Sequence, residues 1–222
     1  MGVLLMLMTI GGLLVAAVLV SVSYFTKRAW LRKFTLGGVA VWFAFYAVML
    51  IGFSLASNDK TLAANEPKAF CGFYLDCHMH TVVTGVRTTK TIGDRTASGT
   101  FYIVTVKVFS DARNPNIAFR LLEPKARIVD GSGNKLTRDT IAENLLPSAA
   151  IDLGADIKGS QTIEKEIVFD VPDGTQNPRL DIHEGYGIDR WIEAVLIGDE
   201  DSIFHRRNYF DLTPHSRAAV VR

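Results

Sequence analysis

Acidic side chains are missing from the first 58 residues of this 222-residue chain: all 23 Asp and Glu occur from Asp59 onward. The only charges before that point are Lys27, Arg28, Arg32 and Lys33. The formal net charge of +1 is therefore the sum of +4 there and 20 − 23 = −3 beyond. So sharp a partition excludes a single soluble globule, and the lack of a concentrated basic face excludes a nucleic-acid binder. Cysteine is scarce, with two residues placed close together at Cys71 and Cys77. A phosphate-binding loop is lacking, since Asp130-Gly-Ser-Gly-Asn134 has neither the required Lys nor a following helix. Ser202 and His205 have acids nearby, but no nucleophile-elbow pattern surrounds them. Disorder is excluded for the second part of the chain by its content of Val, Ile, Phe and Tyr.

What the first part holds is two apolar runs, Gly2 to Phe25 and Phe34 to Ala56. Each exceeds the roughly 20 residues that carry a helix across ~30 Å of hydrocarbon. A cleaved signal peptide would need a basic leading segment, a shorter apolar stretch and a small-residue cleavage site before Lys27, and the first run has none of these. The expectation is a transmembrane hairpin over 1–57 with its loop at 26–33. Loops rich in Lys and Arg lie on the cytoplasmic side. Both termini, and everything after about Ser57, are thus expected outside the inner membrane of a bacterium. Gly12 and Ala16 in the first run, and Ala40 and Ala44 in the second, are small residues one turn apart that allow close helix contact. Trp42 and Tyr46, with Phe43 and Phe45, form an aromatic cluster inside the second run. Neither span holds an ionisable residue, which argues against an ion path.

After a polar linker, 58–70, the pattern changes to period two, and the exterior domain is expected over 71–213 with a tail at 214–222. His78–Arg87, Thr100–Phe109, Phe119–Leu122, Lys125–Val129, Thr162–Val171, Arg179–Ile182, Trp191–Ile197 and Tyr209–Leu212 read as strands, and Arg138–Leu146 as a short helical turn. Short strands divided by Gly, Pro, Asn and Asp turns indicate an antiparallel β-sandwich. The stretches Gly99-Thr-Phe-Tyr-Ile-Val-Thr-Val-Lys-Val108, Ala126-Arg-Ile-Val-Asp-Gly-Ser-Gly-Asn-Lys135 and Glu166-Ile-Val-Phe-Asp-Val-Pro172 resemble the telokin-like, immunoglobulin-like exterior domains of bacterial envelope proteins. The resemblance spans roughly Val82 to His183. It implies a binding or packing module and carries over no catalytic residues.

Cys71-Gly-Phe-Tyr-Leu-Asp-Cys77-His78-Met79-His80 gathers both cysteines and two of the five histidines. In an oxidising compartment a Cys71–Cys77 disulfide is the natural reading. Thiolate, imidazole and thioether also suit copper, with His78, His80 and Met79 as ligands. On a strand, however, His78 and His80 share one face while Cys77 and Met79 share the other. The plan of the chain resembles cytochrome oxidase subunit II, a two-span hairpin followed by an exterior β-domain with copper. That family's Cys-x3-Cys-x3-His-x2-Met pattern is not matched by Cys71 to His80. His183, His205 and His215 are scattered, and Asp199-Glu-Asp201 reads as a solvated turn.

The expectation for function is a non-enzymatic accessory subunit that packs its sandwich on the exterior face of a membrane complex, such as a respiratory or photosynthetic electron-transfer assembly. Its partners would be membrane lipid and other integral membrane subunits. No cofactor of its own is expected, and contact with a partner's pigment, lipid or quinone is left open. Copper binding or delivery, and an envelope ligand-binding module, are the alternatives.

Overall fold

The computed structural model describes residues 2–70, 77–185 and 187–213. The chain divides into two units, Met1–Asp59 with Gly187–Arg207, and Lys60–Tyr186 with Asn208–Arg222.

In the first unit, α1 (Gly2–Phe25) and α2 (Ala29–Ala56) pack as a hairpin. No proline or acid interrupts either helix, so backbone hydrogen bonding continues from end to end. The turn is tighter than the expected 26–33. Lys27 takes a left-handed backbone (φ 54), while the amides of Lys27 and Arg28 bond back to the carbonyls of Tyr24 and Ser23. That is a Schellman closure, and it lets α2 start at once. Arg32 and Lys33 therefore lie on α2, where their straight side chains are good helix formers. Also in this unit, α4 (Gly187–Ala194) is a helix where a strand from Trp191 to Ile197 was expected. A short, mostly apolar run does not distinguish the two by periodicity.

The second unit is a β-sandwich. One sheet has the order β1 (Lys60–Leu62), β11 (Asn208–Asp211), β10 (Arg179–His183), β6 (Lys125–Val129), β7 (Lys135–Thr137). The other runs β2 (Lys68–Phe70), β3 (Met79–Ile92), β4 (Arg95–Ser110), β9 (Thr162–Val171). A short ladder pairs β5 (Ala118–Phe119) with β8 (Ile157–Lys158). The pairing is antiparallel except between β1 and β11, which run parallel. The expected linker 58–70 thus supplies two strands, and the sandwich is not wholly antiparallel.

Between the sheets lie Val104, Val106, Val108, Ile167, Phe169, Ile128, Leu180, Ile182 and Phe210. Strand β4 is buried on its other face too, where Phe101 and Ile103 meet Ala142 and Leu146. A central strand covered on both sides explains its nearly continuous apolar run. Ala142 belongs to α3 (Thr140–Glu143), the expected helical turn, whose N-terminus is capped by Asp139 accepting from the Ala142 amide. Strands β3 and β4 form one long hairpin, reaching the Ile92–Arg95 pair past the expected end at Arg87. Its distal half, rich in Thr, carries little apolar signal because those side chains are largely exposed or half-buried.

Candidate functional site

The register Met79↔Ser110 and His80↔Phe109 carries His78 alongside Asp111, whose amide bonds to the His78 carbonyl at 3.1 Å. Two imidazoles then converge on one carboxylate. His78 Nδ1 lies 2.7 Å from Asp111 Oδ1, and His80 Nε2 lies 3.2 Å from Oδ2, the second contact being too poorly aligned for a hydrogen bond. The His80 ring stacks on Phe109 with centroids 5.0 Å apart, and His78 lies 5.6 Å from Phe119. Hydrogen bonding from His78, outweighing a smaller upward push from desolvation and aided by His80, holds the Asp111 carboxyl below the usual carboxylate range.

Met79 is turned the other way, into the core beside Phe70 and Val83. The two histidines share a face as the period of two requires, and the thioether does not join them. The set His78, His80 and Met79 is therefore not brought together on one face of the strand. Among the described residues, no three His, Cys, Asp or Glu side chains are disposed to hold a metal ion. No described cysteine is free. Cys71, and with it the Cys71–Cys77 pairing, lies outside the described residues, as do His215 and the tail 214–222.

Asp111 carried no signal in the sequence, because what recruits it is strand register. Register also builds a second polar cluster. Arg127 on β6 stands directly across from Asp181 on β10. Its Nε and Nη2 donate to Asp181 Oδ2 at 2.9 and 2.7 Å, and His183 Nδ1 lies 3.4 Å from the same oxygen. Asp181 is fully buried on the face opposite Leu180 and Ile182. A buried carboxylate held by Arg is a structural anchor whose disruption is costly. His183, read as an isolated histidine, belongs to this cluster.

In the hairpin unit, Trp42 Nε1 donates to Thr9 Oγ1 at 2.9 Å and fixes the level at which α1 meets α2. Gly12 and Ala16 line a cleft of about 360 Å³ between the helices, with Thr35, Gly38 and Trp42 opposite. Ala40 and Ala44 are exposed outside that cleft, and a Cβ on Gly12 or Gly38 would meet nothing within 4 Å, so these small residues line open space instead of a close helix contact. Tyr46 is buried, and its hydroxyl donates to the Val195 carbonyl at 2.7 Å. Further along α2, Ser54 Oγ is 3.3 Å from Ser202 Oγ, and the Arg206 amide donates to Ser57 Oγ at 2.8 Å. Asp199, expected in a solvated turn, is mostly buried, and burial pushes its carboxyl up above the ordinary range. Arg207 pairs with Asp201 at 2.7 Å. His205 bonds through Nδ1 to the Arg206 carbonyl.

No family model matches the sequence, and no curated protein matches it significantly. The fold is similar to that of a secreted protein of Mycobacterium tuberculosis, MPT63, at 11% identity, covering 70% of this chain and 99% of that one with a TM-score of 0.45. It is similar also to the yjhA protein of Bacillus subtilis, at 13% identity over 69% of this chain and 100% of that one, TM-score 0.43. An uncharacterized β-sandwich protein of Clostridium difficile shares 9% identity over 71% of this chain and 96% of that one, TM-score 0.39.

Proposed function

We propose that this chain is a membrane-anchored, non-enzymatic accessory subunit whose immunoglobulin-like sandwich stands outside the bacterial inner membrane and packs on a larger complex. The observation that carries the anchoring is the exposure of the two helices. Only 17% and 11% of their most apolar windows are buried, so they are not core helices of a soluble domain. Leu4, Leu14, Val41, Val48 and Leu55 are each about two-thirds exposed. Apolar surface so extensive seeks lipid or a partner helix, at roughly 25 cal/mol for every Å² removed from water. The all-cationic turn then faces the cytoplasm, and a Cys71–Cys77 disulfide suits the exterior side.

The accessory role is supported by the small-residue cleft along α1 and by the aromatic residues on α2. Its test is extraction from native membranes in a mild detergent. Recovery together with integral membrane proteins is expected; migration solely as a free monomer counts against the role while leaving the anchoring intact. The polar cleft of about 780 Å³ beside Arg87, Glu166 and Asp211 favours ligand binding by the sandwich as the second reading. Soaking the purified protein in envelope extracts and identifying retained small molecules by mass spectrometry tests that reading, and an empty cleft rejects it.

A further inference from the structure

The Thr9–Trp42 bond shows that the helices are unequal at their outer ends. Beyond Thr9, α1 continues to Gly2 for about 10 Å, whereas α2 continues beyond Trp42 to Ala56 for about 21 Å, at 1.5 Å per residue. The overhang of α2 is clad by the segment that includes α4. Three contacts climb in step along it: Val195 with Tyr46, Ser202 with Ser54, and Arg206 with Ser57. At the top of α1 the backbone of Ile197 approaches so closely that a Cβ on Gly2 would strike its carbonyl. The segment is therefore seated on the first residue of α1 and along the stretch of α2 from Tyr46 to Ser57.

Its outward side is apolar. Trp191 is 78% exposed and Phe204 68%, with Val195 and Ile203 more than a third exposed. Three of its described ionic groups, Asp199, Asp201 and Arg207, have partners within the segment. Asp201 is paired with Arg207, and the Asp199 carboxyl is buried and raised. Exposed Arg206 sits beside the end of α2, where lipid phosphates would lie.

We propose that Gly187–Arg207 is an interfacial collar, inserted into the outer leaflet of the membrane so that Trp191, Val195, Ile203 and Phe204 contact lipid. The inference rests on the reading that the hairpin spans the membrane. Its occupant is a lipid surface for two reasons: the exposed apolar side chains belong to a segment that runs along α2, whose own apolar side chains are exposed, and Trp is favoured at the membrane boundary. The collar ties the strand-bearing chain to the membrane a second time, 130 residues after α2 ends (187 − 57).

The chain has three tryptophans, Trp30, Trp42 and Trp191. Two variants isolate the informative ones in full-length protein reconstituted into phosphatidylcholine nanodiscs: Trp30→Phe with Trp42→Phe, and Trp30→Phe with Trp191→Phe. Lipids brominated near the headgroup should quench Trp191 and shield it from aqueous iodide, whereas lipids brominated deeper should quench Trp42. Quenching of Trp42 without quenching of Trp191, together with free access of iodide to Trp191, overturns the collar and leaves the spanning hairpin standing. Failure of both tryptophans to respond overturns the spanning hairpin. Should loss of Trp42 unfold the hairpin, the difference between Trp30→Phe and Trp30→Phe with Trp191→Phe reports Trp191 by itself.

Discussion

Replacing Asp111 by Asn removes the carboxylate charge that His78 and His80 face while keeping the shape of the side chain. The folded-state pKa of Asp111 lies below its ordinary value, so its ionisation stabilises the fold above the ordinary carboxylate range, and that contribution fades as pH falls through the lowered value. The melting temperature of wild type should exceed that of Asp111→Asn near neutrality, with the gap closing in acid. A gap unchanged down to the lowest accessible pH would show that charge is not the source. Glu143 is a buried counterpart: 3% exposed, it accepts from Arg138 Nε at 2.7 Å and from the Val168 amide at 3.1 Å. Glu143→Ala strands a guanidinium and a strand amide together, at a cost of about 3 kcal/mol. Glu143→Gln retains an acceptor and should cost markedly less in the same urea titration. Equal losses would mean that packing, rather than the ionic hydrogen bonds, is what Glu143 provides.

Among the elements, the β3–β4 hairpin is held where β4 meets the end of β9. The amides of Ser98 and Gly99 donate to Asp170 at 2.7 and 3.0 Å; burial pushes that carboxyl up, yet these bonds prevail and hold it low. Gly99 is required there because a Cβ would run into the Val171 carbonyl and the Pro172 backbone. Gly99→Ala should destabilise the protein by about 1–3 kcal/mol, the usual cost of overpacking, measured by thermal unfolding in detergent. A loss near zero would mean that β9 can give way. The motif Gly99 to Val108 was legible as a strand because period and β-propensity agree over it. By contrast, residues 191–197 offered similar apolar density without a period that separates strand from helix.

For the molecule as a whole, the proposed orientation across a membrane hangs on four side chains. Changing Lys27, Arg28, Arg32 and Lys33 to Glu removes the positive-inside signal. The sandwich should then lose its single fixed location, read as protease sensitivity appearing on the cytoplasmic side in spheroplasts against inside-out vesicles. Unaltered exterior location would show that the sandwich, and not the turn, sets topology. Local pairs such as Lys90–Asp173, Arg95–Asp139 and Arg127–Asp181 each cancel one charge of either sign, so the net −3 beyond the hairpin persists as excess carboxylate.

The sequence alone determined the two apolar helices, the cationic turn and the alternating strands, because each is written in side chains that are neighbours along the chain. It also placed His78 and His80 on one face and Met79 on the other. Only the tertiary structure decided that Asp111 joins the histidines, that Asp181 is buried under Arg127, and that Gly38 rather than Ala40 and Ala44 faces Gly12 and Ala16. Those outcomes depend on strand register and on helix rotation about the axis, which are settled by long-range packing. The acid-free opening of the chain therefore announced a hairpin, but not the collar from residues 187–207 that closes over its outer end.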